Sequence, residues 1–295
     1  MNEYFYTMNE ILSMNVVHEG GSSKILDAGD GRYIKIFTKR AYGDDQIPES
    51  LRSHLLELSN KKISIAYAFS KLSKNIDIPT GRVFVGNHSI GCTLTPRRGR
   101  GLNTFFANRK RTVGLNSLAL IFENTEKIVR EAHLKNIVFP DLATESNILV
   151  DDDYSVTILD YDGFQIRDLE SPVISTQIEG AYDYLSNSKH YSFSRNRNAY
   201  WDPNLDKFSL MSQFLLLATN INITMQPYME NRIDELLDMM GIDDKEILEK
   251  FSILFADVKN KPYFGDAYKR IADLYDLERM PGTKEKQQVS RFVRK

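Results

Sequence analysis

The apolar pattern of this chain changes period once, near Thr95-Pro96, and that change limits the folds open to it. Before it, short β-rich runs alternate with turn signals. Asn15-Val16-Val17-His18 leads into Glu19-Gly20-Gly21-Ser22-Ser23 and then Lys24-Ile25-Leu26. Gly29-Asp30-Gly31 turns the chain into the strand Arg32-Tyr33-Ile34-Lys35-Ile36-Phe37, and runs at 82–85 and 89–94 flank the turn Gly86-Asn87. One helical block interrupts them, about 48–74, with Leu51, Leu55, Leu58, Ile65, Ala68, Phe69 and Leu72 near helical spacing. After Pro96 the spacing predicts helices over 118–134, 206–219, 231–240, 244–255 and 265–277. Two short strands, 147–150 and 155–159, are joined by Asp151-Asp152-Asp153. The reading is α+β, with a small antiparallel sheet in residues 1–95, a helical region in 96–280 and a basic tail in 281–295. Residues 163–204 are polar, rich in Ser and Tyr and weakly periodic, the mark of a functional or disordered loop.

Composition narrows the classes. The 295 residues are 42% hydrophobic and 26% charged, enough to bury a core and too ordered in character for a disordered or collagen-like chain. A net charge of -2 selects neither nucleic acid nor a membrane surface. Cys92 is the one cysteine, so no internal disulfide forms, which fits a reducing compartment. The N-terminus carries Glu3 and Glu10 instead of a basic start and an apolar run. The most apolar stretch, 208–219, is broken by Ser209, Ser212 and Gln213. A cytoplasmic protein with no membrane partner is the expectation. His18, His54, His88, His133 and His190 lack zinc-ligand spacing, and neither a hydrolase elbow nor a P-loop occurs.

Four polar residues stand at strand or loop ends beside apolar neighbours. Lys35 lies within Ile34-Lys35-Ile36-Phe37; Asp141 follows the run 136–140; Asn147 precedes Ile148-Leu149-Val150; Asp160 closes Val156-Thr157-Ile158-Leu159. Taken singly, each has a plain structural role: an edge-strand lysine, two turn-forming aspartates, a capping asparagine. Their shared order and spacing is what calls for a common explanation.

In that order the residues resemble the protein kinase superfamily: a glycine-containing turn, a strand lysine, an aspartate-then-asparagine loop and a strand-ending aspartate. The resemblance implies a two-lobed protein-kinase-like fold, a nucleotide-binding sheet lobe and a helical catalytic lobe, using ATP and Mg²⁺. It implies that Lys35 meets the α- and β-phosphates, that Asp141 is the catalytic base, and that Asn147 and Asp160 hold metal. Gly20 and Gly21 match the phosphate-covering turn loosely. Asp206-Lys207-Phe208-Ser209-Leu210 is similar to the start of the buried helix whose first aspartate anchors the catalytic loop in that family. The match spans about 15–277, and the implied activity is phosphoryl transfer to a protein Ser/Thr hydroxyl.

The sequence departs from the family pattern in several places. Phe139-Pro140-Asp141 stands where H-R-D is usual, and Asp141 to Asn147 is one residue longer than the common spacing. For the lysine's helix partner the candidates are Glu49 and Glu57, with Glu57 preferred for its place among Leu55, Leu56 and Leu58. Asp160-Tyr161-Asp162 also resembles the end motif of aminoglycoside- and choline-kinase-like small-molecule phosphotransferases. A pseudokinase scaffold is the alternative outside the enzymes. Finally, Arg97, Arg98, Arg100, Arg109, Lys110 and Arg111 cluster within 97–111 without an acid. They form either a solvated face or a local patch for an acidic protein, a nucleotide or RNA, with the near-neutral total charge weighing against nucleic acid.

Overall fold

A computed structural model describes residues 1–19, 23–37, 75–102, 104–105, 114–139, 142, 147–160, 165–166, 203–219, 235, 237–238, 241–255 and 261–274. The chain is a mixed α+β protein. It divides into two compact units, one of Met1–Arg98 with Thr157–Asp162 and the other of Gly99–Val156 with Gly163–Lys295.

The first unit is built on a six-stranded sheet. Its strands are β1 (Asn2–Tyr6), β2 (Asn15–Glu19), β3 (Ser23–Asp27), β4 (Tyr33–Phe37), β5 (Gly81–Val85) and β6 (His88–Leu94), in the spatial order β1-β5-β6-β4-β3-β2. The five strands from β2 onward pair antiparallel, as their alternation and turn residues predict. The sheet is mostly antiparallel, as expected, and its one parallel pair is at the first strand. β1 pairs parallel with β5, Asn2 opposite Gly81 and Tyr6 opposite Val85. It escapes a periodicity search because it is an edge strand exposed on most of its length, so its sequence shows no apolar alternation.

Helix α1 (Met8–Ser13) follows at once. Thr7 and Glu10 form a reciprocal capping box, the Thr7 side chain accepting from the Glu10 amide and the Glu10 carboxylate accepting from the Thr7 amide. That cap turns the chain so that Ile11 joins Leu26, Ile34 and Val83 in the core of this unit. Burying each such side chain is worth about 1.5–3 kcal/mol. The predicted helix over 48–74 lies outside the described residues.

The second unit is mainly helical. It contains β7 (Arg100–Gly101), α2 (Leu115–His133), β8 (Ile137–Val138), β9 (Ile148–Val150), β11 (Gln165–Ile166), α3 (Pro203–Thr219), α4 (Lys245–Phe255) and α5 (Ala267–Leu274); β10 (Val156–Ile158) leaves it for the first unit at Thr157. α2 buries the stripe Leu118, Ile121, Phe122, Ile128, Val129 and Ala132 against α3 and α5. α3 is buried on nearly every face, and its ring Phe214 meets Phe122 and Tyr268 edge-on. Glu126, also buried, accepts from the Phe264 and Gly265 amides and so fixes the approach to α5. Among the described residues no helix is long and apolar enough to cross a membrane.

Candidate functional site

Lys35 sits on β4, an inner strand, between Ile25 of β3 and Cys92 of β6. Its neighbour Ile34 points to the core and Lys35 itself is 5% exposed, far below the norm for a lysine. A buried ammonium is costly unless a carboxylate compensates it. Asp160 supplies one: Lys35 Nζ stands 2.5 Å from Asp160 Oδ1. The two residues are 125 apart in sequence and belong to one unit.

What brings Asp160 there is a short parallel bridge. Ile158 pairs with Ile76; the Asp77 amide donates to the Ile158 carbonyl at 2.8 Å, and the Ile158 amide donates to the Asn75 carbonyl at 2.9 Å. Two residues on, Asp160 takes φ 68°, a left-handed conformation that aspartate tolerates better than most side chains. Strain of that kind gathers at functional positions, where the surroundings over-determine it. On the other side of Lys35, Gly91 is required by close approach: a Cβ there would overlap the Lys35 carbonyl oxygen and press on Ile36 Cα. A residue with a side chain at 91 would push the lysine strand out of register.

The segment carrying the bridge brings a second carboxylate. Asp77 is 6% exposed, and burial pushes its pKa up to about 6, against the lowering pull of the Arg97 guanidinium and of the Lys35 charge. Arg97 Nε donates to Asp77 Oδ1 at 3.4 Å. Arg97, counted in the sequence with a basic surface cluster, is thus engaged by an acid, whereas Arg98 and Arg100 are exposed. Arg109, Lys110 and Arg111 lie outside the described residues.

The second unit contains a different constellation. Asp206, in the first turn of α3, is fully buried and accepts from the Phe139 amide at 3.0 Å and from His133 Nε2 at 2.7 Å. The other ring nitrogen, His133 Nδ1, shares a hydrogen bond with the Tyr263 hydroxyl, 2.6 Å away. Burial pushes the Tyr263 pKa up to about 12, so its hydroxyl keeps the proton that this hydrogen bond uses. Arg130 and Lys207 lie over the Tyr263 ring at 4.4 and 4.3 Å. About two turns further along α3, Gln213 Nε2 donates to the Leu142 carbonyl at 2.7 Å, and the Leu142 amide donates to the Phe139 carbonyl at 3.0 Å. Phe139 and Leu142, the described residues flanking Pro140-Asp141, are both tied to α3.

Of the residues the sequence singled out, the structure brings Lys35 and Asp160 together, and Asp206 accepts from the amide of Phe139, two positions before Asp141. Asn147, half-buried, directly precedes β9. Gly20, Gly21, Glu57, Asp141 and Asp162 lie outside the described residues. Sequence reasoning missed Asp77, His133 and Tyr263. For His133 there was a signal: it closes an amphipathic helix eight positions before Asp141. Comparison with protein-family models and with curated proteins finds no match to this chain.

Proposed function

We propose that this protein transfers the terminal phosphoryl group of ATP, with Mg²⁺, to a Ser or Thr hydroxyl of a protein substrate. On this reading the first unit serves as the nucleotide-binding lobe of a kinase-like fold and the second as its catalytic lobe. The observation that carries it is the Lys35–Asp160 ion pair at 2.5 Å, made inside one unit from an inner strand and a left-handed strand end. A buried lysine and a partly exposed aspartate that satisfy one another are the two charges that a phosphate and a divalent cation would separately engage. Asp160, 26% exposed on its side chain, can reach solvent and exchange its partner.

The residues fit that cofactor chemically. Asp160 offers hard oxygen donors, the kind Mg²⁺ takes while retaining waters and phosphate oxygens, and Asn147, in the second unit, is a ligand only as the family resemblance implies. Bound there, the ion would neutralise charge developing on the transferred group. Lys35 would bind and orient the phosphates. Asp141 would accept the hydrogen bond of the attacking hydroxyl. Asp206, through the Phe139 amide, and Gln213, through the Leu142 carbonyl, would hold the backbone on both sides of Asp141. Where H-R-D is missing, this anchoring of Phe139 supports the loop without that histidine or arginine.

The test is transfer of label from radiolabelled ATP with Mg²⁺ to a general protein acceptor. Asp141→Asn is expected to lower transfer at least about a hundredfold while keeping nucleotide affinity, the signature of a lost positioning base. Normal turnover in that variant overturns the assignment. Label on a soluble alcohol or amino-sugar and none on protein would move the protein to the small-molecule phosphotransferases. Nucleotide-dependent thermal stabilisation without transfer would make it a binding module.

A further inference from the structure

Asp160 is tied to the six-stranded sheet through its own ion pair with Lys35, and the strand that carries it is tied there by contacts of another kind. The segment Asn75–Asp77 brackets Ile158, the Asp77 amide on the Ile158 carbonyl at 2.8 Å and the Ile158 amide on the Asn75 carbonyl at 2.9 Å. That segment joins the sheet at Thr80, whose amide donates to the Thr93 carbonyl at 2.8 Å. Three residues before Thr80, Arg97 Nε donates to Asp77 Oδ1 at 3.4 Å. Arg97 follows β6, the strand whose Cys92 stands opposite Lys35. The Arg97–Asp77 contact therefore closes a ring of structure within the first unit, from the lysine strand through β6 to the segment that holds Ile158. The Asp77 side chain is 8% exposed and that of Arg97 30%, so water and salt compete weakly for this contact.

We propose that Arg97 and Asp77 are positioning residues for Asp160: their ion pair clasps the 75–77 segment to the end of β6 and so keeps the Asp160 carboxylate in place once it has let go of Lys35. The inference rests on the function proposed above for its purpose, and on this chain's own contacts for its content. A contact that must be exchanged cannot also be the contact that fixes position. When Asp160 turns from Lys35 to a divalent cation, the direct tie between Asp160 and β4 is gone. The carboxylate then keeps its place through the backbone bridge at Ile158 and the clasp beyond it. A small displacement matters there, because Mg²⁺ demands near-ideal octahedral geometry and a donor misplaced by about 1 Å is a poor one.

Carbodiimide footprinting with a small amine at pH 7, resolved to Asp160 by mass spectrometry of the full-length protein, reports how firmly that carboxylate is held. In wild type it is paired and 26% exposed on its side chain, so slow labelling is expected. Arg97→Met keeps most of the stem and removes the charge; Asp160 labelling is expected to rise about three- to tenfold, the scale of one coupled contact. Asp77→Asn is expected to move it in the same direction and by less, because the amide oxygen can still accept from Arg97. Cys92, wholly buried on β6, is the control and stays unreactive toward a thiol reagent in both variants. Unchanged Asp160 labelling in either folded variant overturns the inference. So does a rise accompanied by a reactive Cys92, which is what a loosened sheet produces. Nucleotide binding supplies the second readout. MgATP, which draws on Asp160, is expected to bind Arg97→Met about tenfold more weakly than wild type, whereas Mg²⁺-free ATP, which meets Lys35, binds no more weakly. Equal weakening of both forms overturns the clasp. If wild type binds neither form while Asp160 labelling still rises over an unreactive Cys92, the clasp stands and the phosphoryl-transfer reading falls.

Discussion

The two carboxylates that organise this protein, Asp160 in the first unit and Asp206 in the second, are held in opposite ways. Asp160 is partly exposed, stands at the end of a strand in a left-handed conformation, and meets a full positive charge. Asp206 is fully buried in the first turn of a buried helix and meets a backbone amide and an imidazole. The first arrangement can be exchanged at modest cost, because water and a cation can both reach the carboxylate. The second cannot, because every donor it satisfies would be orphaned in an apolar interior. A site that binds and releases a charged ligand needs the first kind of contact resting on a scaffold of the second kind. Asp160 is an example of the first and Asp206 of the second.

The sharpest way to break that contrast is to truncate the scaffold carboxylate. Asp206→Ala leaves the Phe139 amide and the His133 ring buried without their acceptor and is expected to cost about 3 kcal/mol or more, read from urea unfolding. A loss under about 1 kcal/mol would mean that the anchor is not structural and that the comparison with Asp160 is misdrawn.

Asp77 offers a smaller and pH-dependent test within the first unit. Burial raises its folded pKa to about 6, above the ordinary carboxyl value of 3.8. A carboxyl whose folded pKa is raised holds its proton longer in the folded state, so it favours folding at low pH. That contribution is lost as pH rises through about 4 to 6, and above this range the buried charge is a standing cost of about 2–3 kcal/mol. The Asp77→Asn variant carries no such charge. The difference in unfolding free energy, variant minus wild type, is therefore expected to grow by about that amount between pH 4 and pH 7. A difference that stays flat over this range would show that Asp77 is solvated and that the first unit has no buried field to set against Asp206.

How much of this was legible in the sequence follows the same division. Strands β2 to β6 announce themselves by alternation and turn glycines, and α2 by a clean stripe from Leu118 to Ala132. Lys35 and Asp160 were legible as candidates because each sits at the edge of an apolar run. Asp206 was legible only through a family resemblance. The partners were not. His133 and Asp206 are 73 residues apart, and Tyr263 and His133 are 130 apart, so no local pattern links them. Ser212 and Gln213 read as polar interruptions of an apolar stretch. In the fold the Ser212 hydroxyl donates to the Phe208 carbonyl and Gln213 holds Leu142, so the interruptions are the anchor. Arg97 was hidden for a different reason: a run of arginines looks like surface, and the acid that claims one of them lies 20 positions earlier. Periodicity reports which face is apolar, and it is silent on which buried polar group meets which.

The smallest expected effect on stability is the most informative about function. Lys35→Met replaces a buried ammonium with an apolar chain of similar length on an inner strand where Ile34 and the cross-strand partner Cys92 are already fully buried. The lost attraction to Asp160 is set against the recovered cost of desolvating the ammonium, and such exchanges are often close to neutral. Asp160, being partly exposed, can be hydrated when its partner is gone. The unfolding free energy is therefore expected to move by no more than about 1 kcal/mol in either direction, although the most buried charge of the sheet has been removed. Nucleotide-dependent stabilisation should disappear in the same variant. Loss of stability comparable to that of Asp206→Ala would place Lys35 among the scaffold residues and undo the distinction between the two carboxylates. Retained nucleotide stabilisation in a normally folded Lys35→Met would leave the fold as described and remove the lysine from the binding site.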